Sequence, residues 1–138
     1  MFSQPAGGHQ EQPHTADWAL DVWSSDVVGL LQQAARGMYA LMHARLLAEP
    51  REAYRFEMAA PDRETLLVTF LSELLYFTQR DGVAFDRFDL NYDGERLSAV
   101  VEGAPIESLV KEIKAVTYHN LAVRETERGL ETTIVFDV

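Results

Sequence analysis

The amino-acid sequence predicts an α+β domain in which a mostly antiparallel sheet packs as a two-layer sandwich against two amphipathic helices. Three observations carry this expectation. Apolar residues recur every three or four positions in two stretches, around 27–42 and 66–75, which is the period of a helix with one buried face. Elsewhere they alternate, as on a half-buried strand. The strands of the C-terminal half are joined by short turn signals, Asp93-Gly94 and the vicinity of Gly129, so neighbours run antiparallel.

Taken in chain order, residues 1–13 hold Gln, Pro, Gly, Ser and His with little to bury, and are expected to form a flexible tail ahead of a single domain, 14–138. Trp18, Leu20 and Val22 alternate with Asp17, Ala19 and Asp21 in a first strand. Ser24 and Ser25 end it and are placed to cap a helix, with Asp26 in the first turn. Val27, Leu30, Leu31, Ala34, Met38, Leu41 and Met42 form that helix's stripe, which is expected to run to about Leu46. Tyr54, Phe56 and Met58 alternate as a short strand. Pro61 and Asp62 open a second helix with Leu66, Leu67, Phe70, Leu71, Leu74 and Leu75 on one face, closed by Gly82. Strands are expected at 84–92, 97–102, 116–124 and 131–138, with a short helical turn possible within 103–111.

The chain has 138 residues, the size of one core, and a balance of 22 acids to 12 bases gives a net charge of −10. Such a surface repels phosphate, so tight direct binding of nucleic acid is not expected, nor is an anionic membrane surface. Docking on a basic protein suits it better. With no cysteine, disulfides, thiolate metal sites and cysteine nucleophiles are excluded, in keeping with a reducing, cytoplasmic setting. No apolar run approaches the roughly 20 residues that cross a bilayer, and the first residues do not read as a signal peptide.

Motifs for phosphate loops, zinc proteases, hydrolase nucleophile elbows and redox dithiols are all absent. His9 falls in the tail and His43 late on the first helix; His14 and His119 flank strands, where a histidine is ordinarily just satisfied structure. Asp17 and Asp21 share the polar face of the first strand. Asp137 precedes Val138, whose terminal carboxylate adds two more oxygens. If the last strand lies beside the start of the first, Asp17, Asp137 and Val138 gather at one edge, and hard cations such as Ca²⁺ or Mg²⁺ favour such oxygen ligands. Taken by spacing alone, acids at strand ends are solvated surface. Lys111 and Lys114 are the only lysines among the bases.

Four stretches together resemble the archease family: His14-Thr15-Ala16-Asp17, Glu73-Leu74-Leu75-Tyr76, Lys114-Ala115-Val116-Thr117-Tyr118-His119, and the ending Phe136-Asp137-Val138. The resemblance covers the chain from about Pro13 to Val138. It implies a non-catalytic protein that activates the RtcB-type 3′-phosphate RNA ligase, promoting its guanylylation and multiple turnover in tRNA splicing and RNA repair. It further implies that Asp17, Asp137 and the Val138 terminus hold a divalent metal ion, Ca²⁺ before Mg²⁺, Mn²⁺ or Zn²⁺, with Lys114 on the same functional edge. Where many members carry a histidine just ahead of the KAVTYH-like stretch, this chain has Ile106-Glu107-Ser108-Leu109. A rival reading is a metal-dependent hydrolase acting on a small molecule through the same carboxylates, for which only His14 or His119 could serve as general base.

Overall fold

The structure, a computed structural model, describes residues 6–12 and 18–138, and these form two helices and nine strands. The strands fall into two antiparallel sheets. In the first, β1 (Gly7–Gln12), β2 (Trp18–Ser24), β9 (Gly129–Asp137) and β7 (Ala115–Val116) lie in that order, and β8 (Arg124–Thr126) also pairs with β9. The second is built on the long strand β6 (Arg96–Ser108): β5 (Val83–Tyr92) pairs with it, as do β4 (Glu52–Ala59) and β3 (Arg45–Leu46). α1 (Val27–Met42) packs on β1 and β2 of the first sheet and on β5 of the second, while α2 (Arg63–Asp81) packs on β4, β5 and β7. Both helices therefore touch both sheets, and one continuous core runs through Leu20, Leu31, Met38, Phe70, Leu74, Phe88, Ile134 and Phe136.

The helix ends follow from local chemistry. Asp26 caps α1 by accepting the Gly29 N–H at 2.7 Å, so the cap is Asp26 itself; Ser24 is buried at the end of β2 and donates to the Ala6 carbonyl. α1 stops at Met42 rather than near Leu46, because His43 takes the left-handed conformation (φ 52°) and the next residues leave to pair as β3. Asp62 caps α2 through Thr65 N–H at 2.7 Å, and Gly82 (φ 67°) closes it, as expected.

Three further expectations are corrected. Residues 7–12, within the stretch read as a flexible tail, pair with β2 along their whole length as β1. The region after Glu102 holds no helical turn; β6 continues to Ser108, since Gly103–Pro105 pair with Val83–Phe85. The single strand expected at 116–124 is broken: only Ala115–Val116 and Arg124–Thr126 pair with β9. Between them the chain turns, with Asn120 at φ 52° and the Leu121 N–H donating to the Tyr118 carbonyl at 3.0 Å.

Candidate functional site

The strand order sets the site. β9 is flanked by β2 on one edge and β7 on the other, so the end of β9 lies between the start of β2 and the segment that leads into β7. Trp18 pairs with Phe136, and Ala115 pairs with Asp137. The Lys114 N–H donates to the Asp137 carbonyl at 2.7 Å. Phe136 is wholly buried and anchors the strand end, whereas Asp137 beside it is exposed, as alternation along β9 requires. Val138 is half-buried and packs on the core.

The segment carrying Lys114 is held from three sides. Ile113 is buried and inserts into the core. From α2, the Gln79 amide donates to the carbonyls of both Ile113 and Lys114 at 3.3 Å. From the end of α1, the Met42 carbonyl accepts the Val110 N–H at 2.9 Å. Lys111 points its ammonium over the Trp18 ring at 5.9 Å. Both lysines of the chain thus stand at the edge where β9 ends, one backed on Trp18 and one bonded through its backbone to Asp137. Lys114 is exposed.

Among the predicted site residues, Asp137, Val138 and Lys114 are brought together. Asp17 and His14 lie outside the described residues; Asp17 is one peptide link from Trp18. Asp21 is three positions along β2 from Trp18: it pairs with Thr133 and accepts the Thr133 hydroxyl. His119 is exposed in the turn after β7, with its Nε2 3.3 Å from the Asn120 amide nitrogen. His9 sits on β1 facing α1, and His43 caps α1. Among the described residues no three or more histidines or acids cluster as metal ligands. The described donors at the edge are oxygens, and the Asp137 carbonyl is already engaged by Lys114, which leaves its carboxylate. That donor chemistry fits a hard cation, not a thiolate-loving one.

Two of the four sequence stretches also take on physical meaning. In Glu73-Leu74-Leu75-Tyr76 the leucines are core, and Tyr76 is exposed beneath the Arg80 guanidinium. Thr117 donates through N–H and hydroxyl to the Val135 carbonyl, at 3.1 and 2.9 Å, prolonging β7's hold on β9. Sequence reasoning missed Gln79. A glutamine on the exposed side of a helix carries no signal, and only the structure brings it to the Lys114 backbone.

The sequence profile of the Archease protein family (MTH1598/TM1083) matches residues 9–138. The Protein archease of Methanopyrus kandleri is 32% identical over 135 residues, covering 91% of this chain and 96% of its own. That of Thermococcus gammatolerans is 30% identical over 124 residues, covering 84% and 87%. Among solved structures, an archease from Thermotoga maritima, described as a possible chaperone, aligns with a TM-score of 0.70 at 23% identity over 94% of this chain and 98% of its own. The solution structure of Methanobacterium thermoautotrophicum protein 1598 aligns equally well, with a TM-score of 0.70 at 21% identity over 95% and 99%. These two show the same α+β fold, and the profile with the two relatives leads to one conclusion: the chain belongs to the archease family.

Proposed function

We propose that this archease is a non-catalytic activator of an RtcB-type 3′-phosphate RNA ligase, promoting its guanylylation and multiple turnover in cytoplasmic tRNA splicing and RNA repair. The observation that carries the reading is the juxtaposition at the end of β9 of Asp137, Val138 and Lys114, which are the residues the family resemblance marks. Asp17, next to Trp18, would complete the oxygen set with Asp137 and the Val138 terminus for a divalent ion, Ca²⁺ by preference. The ion would supply positive charge that lets neighbouring carboxylates coexist. Asp137 presents its carboxylate outward, while Gln79 and the Asp137 carbonyl hold the Lys114 backbone, so both charged groups are offered to a partner from fixed backbone.

The test is ligation with a catalytic amount of the ligase. Product should exceed one per ligase molecule only when this protein is added, and the protein alone should join nothing. Asp17→Ala and Asp137→Ala, both with wild-type circular dichroism, should lose most of the stimulation. Turnover that is unaffected by adding the wild-type protein would refute the assignment, and full stimulation by both variants would remove the edge from it.

A further inference from the structure

Away from the acidic edge, positive charge collects in one cavity of about 490 Å³. α1 contributes Arg36 and His43 to it, β3 contributes Arg45, and Phe85 and Asp86 of β5 close the opposite side. Six of the 12 Lys/Arg side chains make ion pairs among the described residues, and neither Arg36 nor Arg45 is one of them. The one carboxylate on this lining, Asp86, is already gripped by Arg51 through two bonds of 3.2 and 2.6 Å.

Among the described residues Arg36 makes no ion pair. Its Nη1 reaches the Asp86 carbonyl at a long 3.4 Å, its guanidinium lies 5.4 Å over the Phe88 ring, and its Nε is buried with no hydrogen-bond partner among those residues. A buried donor left unpartnered is rare in a folded protein, because its lost hydration is not repaid, so Arg36 gains when its guanidinium turns to meet an acceptor in the cavity. The field of that charge is felt nearby: the His9 imidazole is pushed below its ordinary pKa, first by burial and then by Arg36.

We infer that this cavity binds a phosphate-bearing small molecule, with Arg36 and Arg45 holding the phosphate. Two guanidinium groups match the double charge of a phosphomonoester better than the single charge of a carboxylate, and their planar forks suit its oxygens. The cavity lies within the range of about 300–1,000 Å³ that takes small organic ligands. Ala40, Ala44 and Phe85 supply an apolar wall for the organic part.

Calorimetric titration of the full chain tests the site with three probes: phenyl phosphate, inorganic phosphate and benzoate. Phenyl phosphate should bind saturably, one per chain, and more tightly than benzoate. Arg45→Gln, an exposed position whose change leaves the core untouched, should weaken it by about tenfold, or about 1.4 kcal/mol. Adding Arg36→Gln should abolish saturation, while Arg124→Gln, on the exposed strand β8, should change nothing. Absence of saturable binding, wild-type affinity in Arg45→Gln, or benzoate bound as tightly as phenyl phosphate would overturn the inference. No ligase enters the experiment, so its outcome is independent of the proposed activator role.

Discussion

Asp81 shows how much a single residue's surroundings can do at this protein's surface. Arg80 bonds its carboxylate at 2.9 and 2.8 Å, and the Tyr54 hydroxyl donates to it at 2.7 Å. Together, Arg80 first, they pull the Asp81 carboxyl down to about 2. Tyr54 in turn is pushed up to about 12, chiefly by desolvation between Phe77 and Phe85 and then by the bond to Asp81. A carboxylate whose pKa is depressed on folding stabilises the fold above its unfolded value of about 3.9 and loses that contribution as pH falls through the folded value. A phenol whose pKa is raised stabilises below about 10 and loses its contribution as pH rises through the folded value. Asp81→Asn is therefore expected to lower the urea midpoint at pH 7 and to converge on wild type between about pH 4 and 2. A gap that stays constant across that window would show that Asp81 acts by shape, not charge. Nothing in the sequence announces this trio, because Tyr54 and Asp81 are 27 positions apart and meet only through the packing of β4 on α2.

At the scale of elements, legibility tracked how local the determining chemistry is. Both ends of α2 could be read because Asp62 and Gly82 act on their own backbone, one through the Thr65 N–H and the other through a left-handed cap. The same logic predicts that Asp26→Ala, which leaves the Gly29 N–H without its acceptor, lowers stability by about 1 kcal/mol in denaturant unfolding. A change within experimental error would mean that water replaces the cap. β1 was illegible because it is a polar strand whose partner is supplied by tertiary structure. Its Gly7 and Gly8 allow it to lie close on β2: a side chain at Gly8 would strike the Trp23 ring, and one at Gly7 the Trp23 carbonyl. The outcome at 103–108 has a similar cause. Gly103 sits beside the irregular Phe85–Arg87 pairing, and a Cβ there would run into the Ala84 backbone carbonyl. Backbone cannot step aside as a flexible side chain can, so Gly103→Ala is expected to cost about 1–3 kcal/mol by the same measurement. Unchanged stability would show that β5 yields. The break between β7 and β8 depends on the left-handed Asn120, which the apolar residues around it conceal.

For the molecule as a whole, the edge that carries the proposed function is where both flanks of the first sheet meet. β9 joins β2 to β7, and its last residues also connect, through Lys114 and Gln79, to α2. The half of this site lying on β7 and β9 was readable as motifs; that Lys111 would back onto Trp18 was not, since cation and ring are 93 positions apart. The net charge of −10 bears on partners at the same scale. It leaves little attraction for nucleic-acid phosphate, so a gel shift with single-stranded or duplex RNA should show no tight complex at about 0.15 M salt, and tight, salt-sensitive binding would contradict that expectation.

An ion held at that edge would bind the folded chain and not the unfolded one, because Trp18, the sequence neighbour of Asp17, reaches the end of β9 only when β2 and β9 pair. Binding of that kind stabilises by mass action: at a hundredfold excess over the dissociation constant the gain is about 2.7 kcal/mol. For a domain of this size that raises the melting temperature by several degrees, on the order of 2–4 °C per kcal/mol at the larger end of the range. Ca²⁺ added to chelator-treated protein is accordingly expected to raise the melting temperature in a concentration-dependent way, and excess chelator to reverse it. Asp137→Ala removes an exposed carboxylate and no core contact, so the variant should melt close to chelated wild type and fail to respond to Ca²⁺. Asp21→Asn is the matched control: it also removes one negative charge from the first sheet, at a position three residues along β2 from Trp18, and should respond as wild type does. An equal response in the wild type and Asp137→Ala would place any Ca²⁺ elsewhere and separate the edge's lysine from its proposed ion.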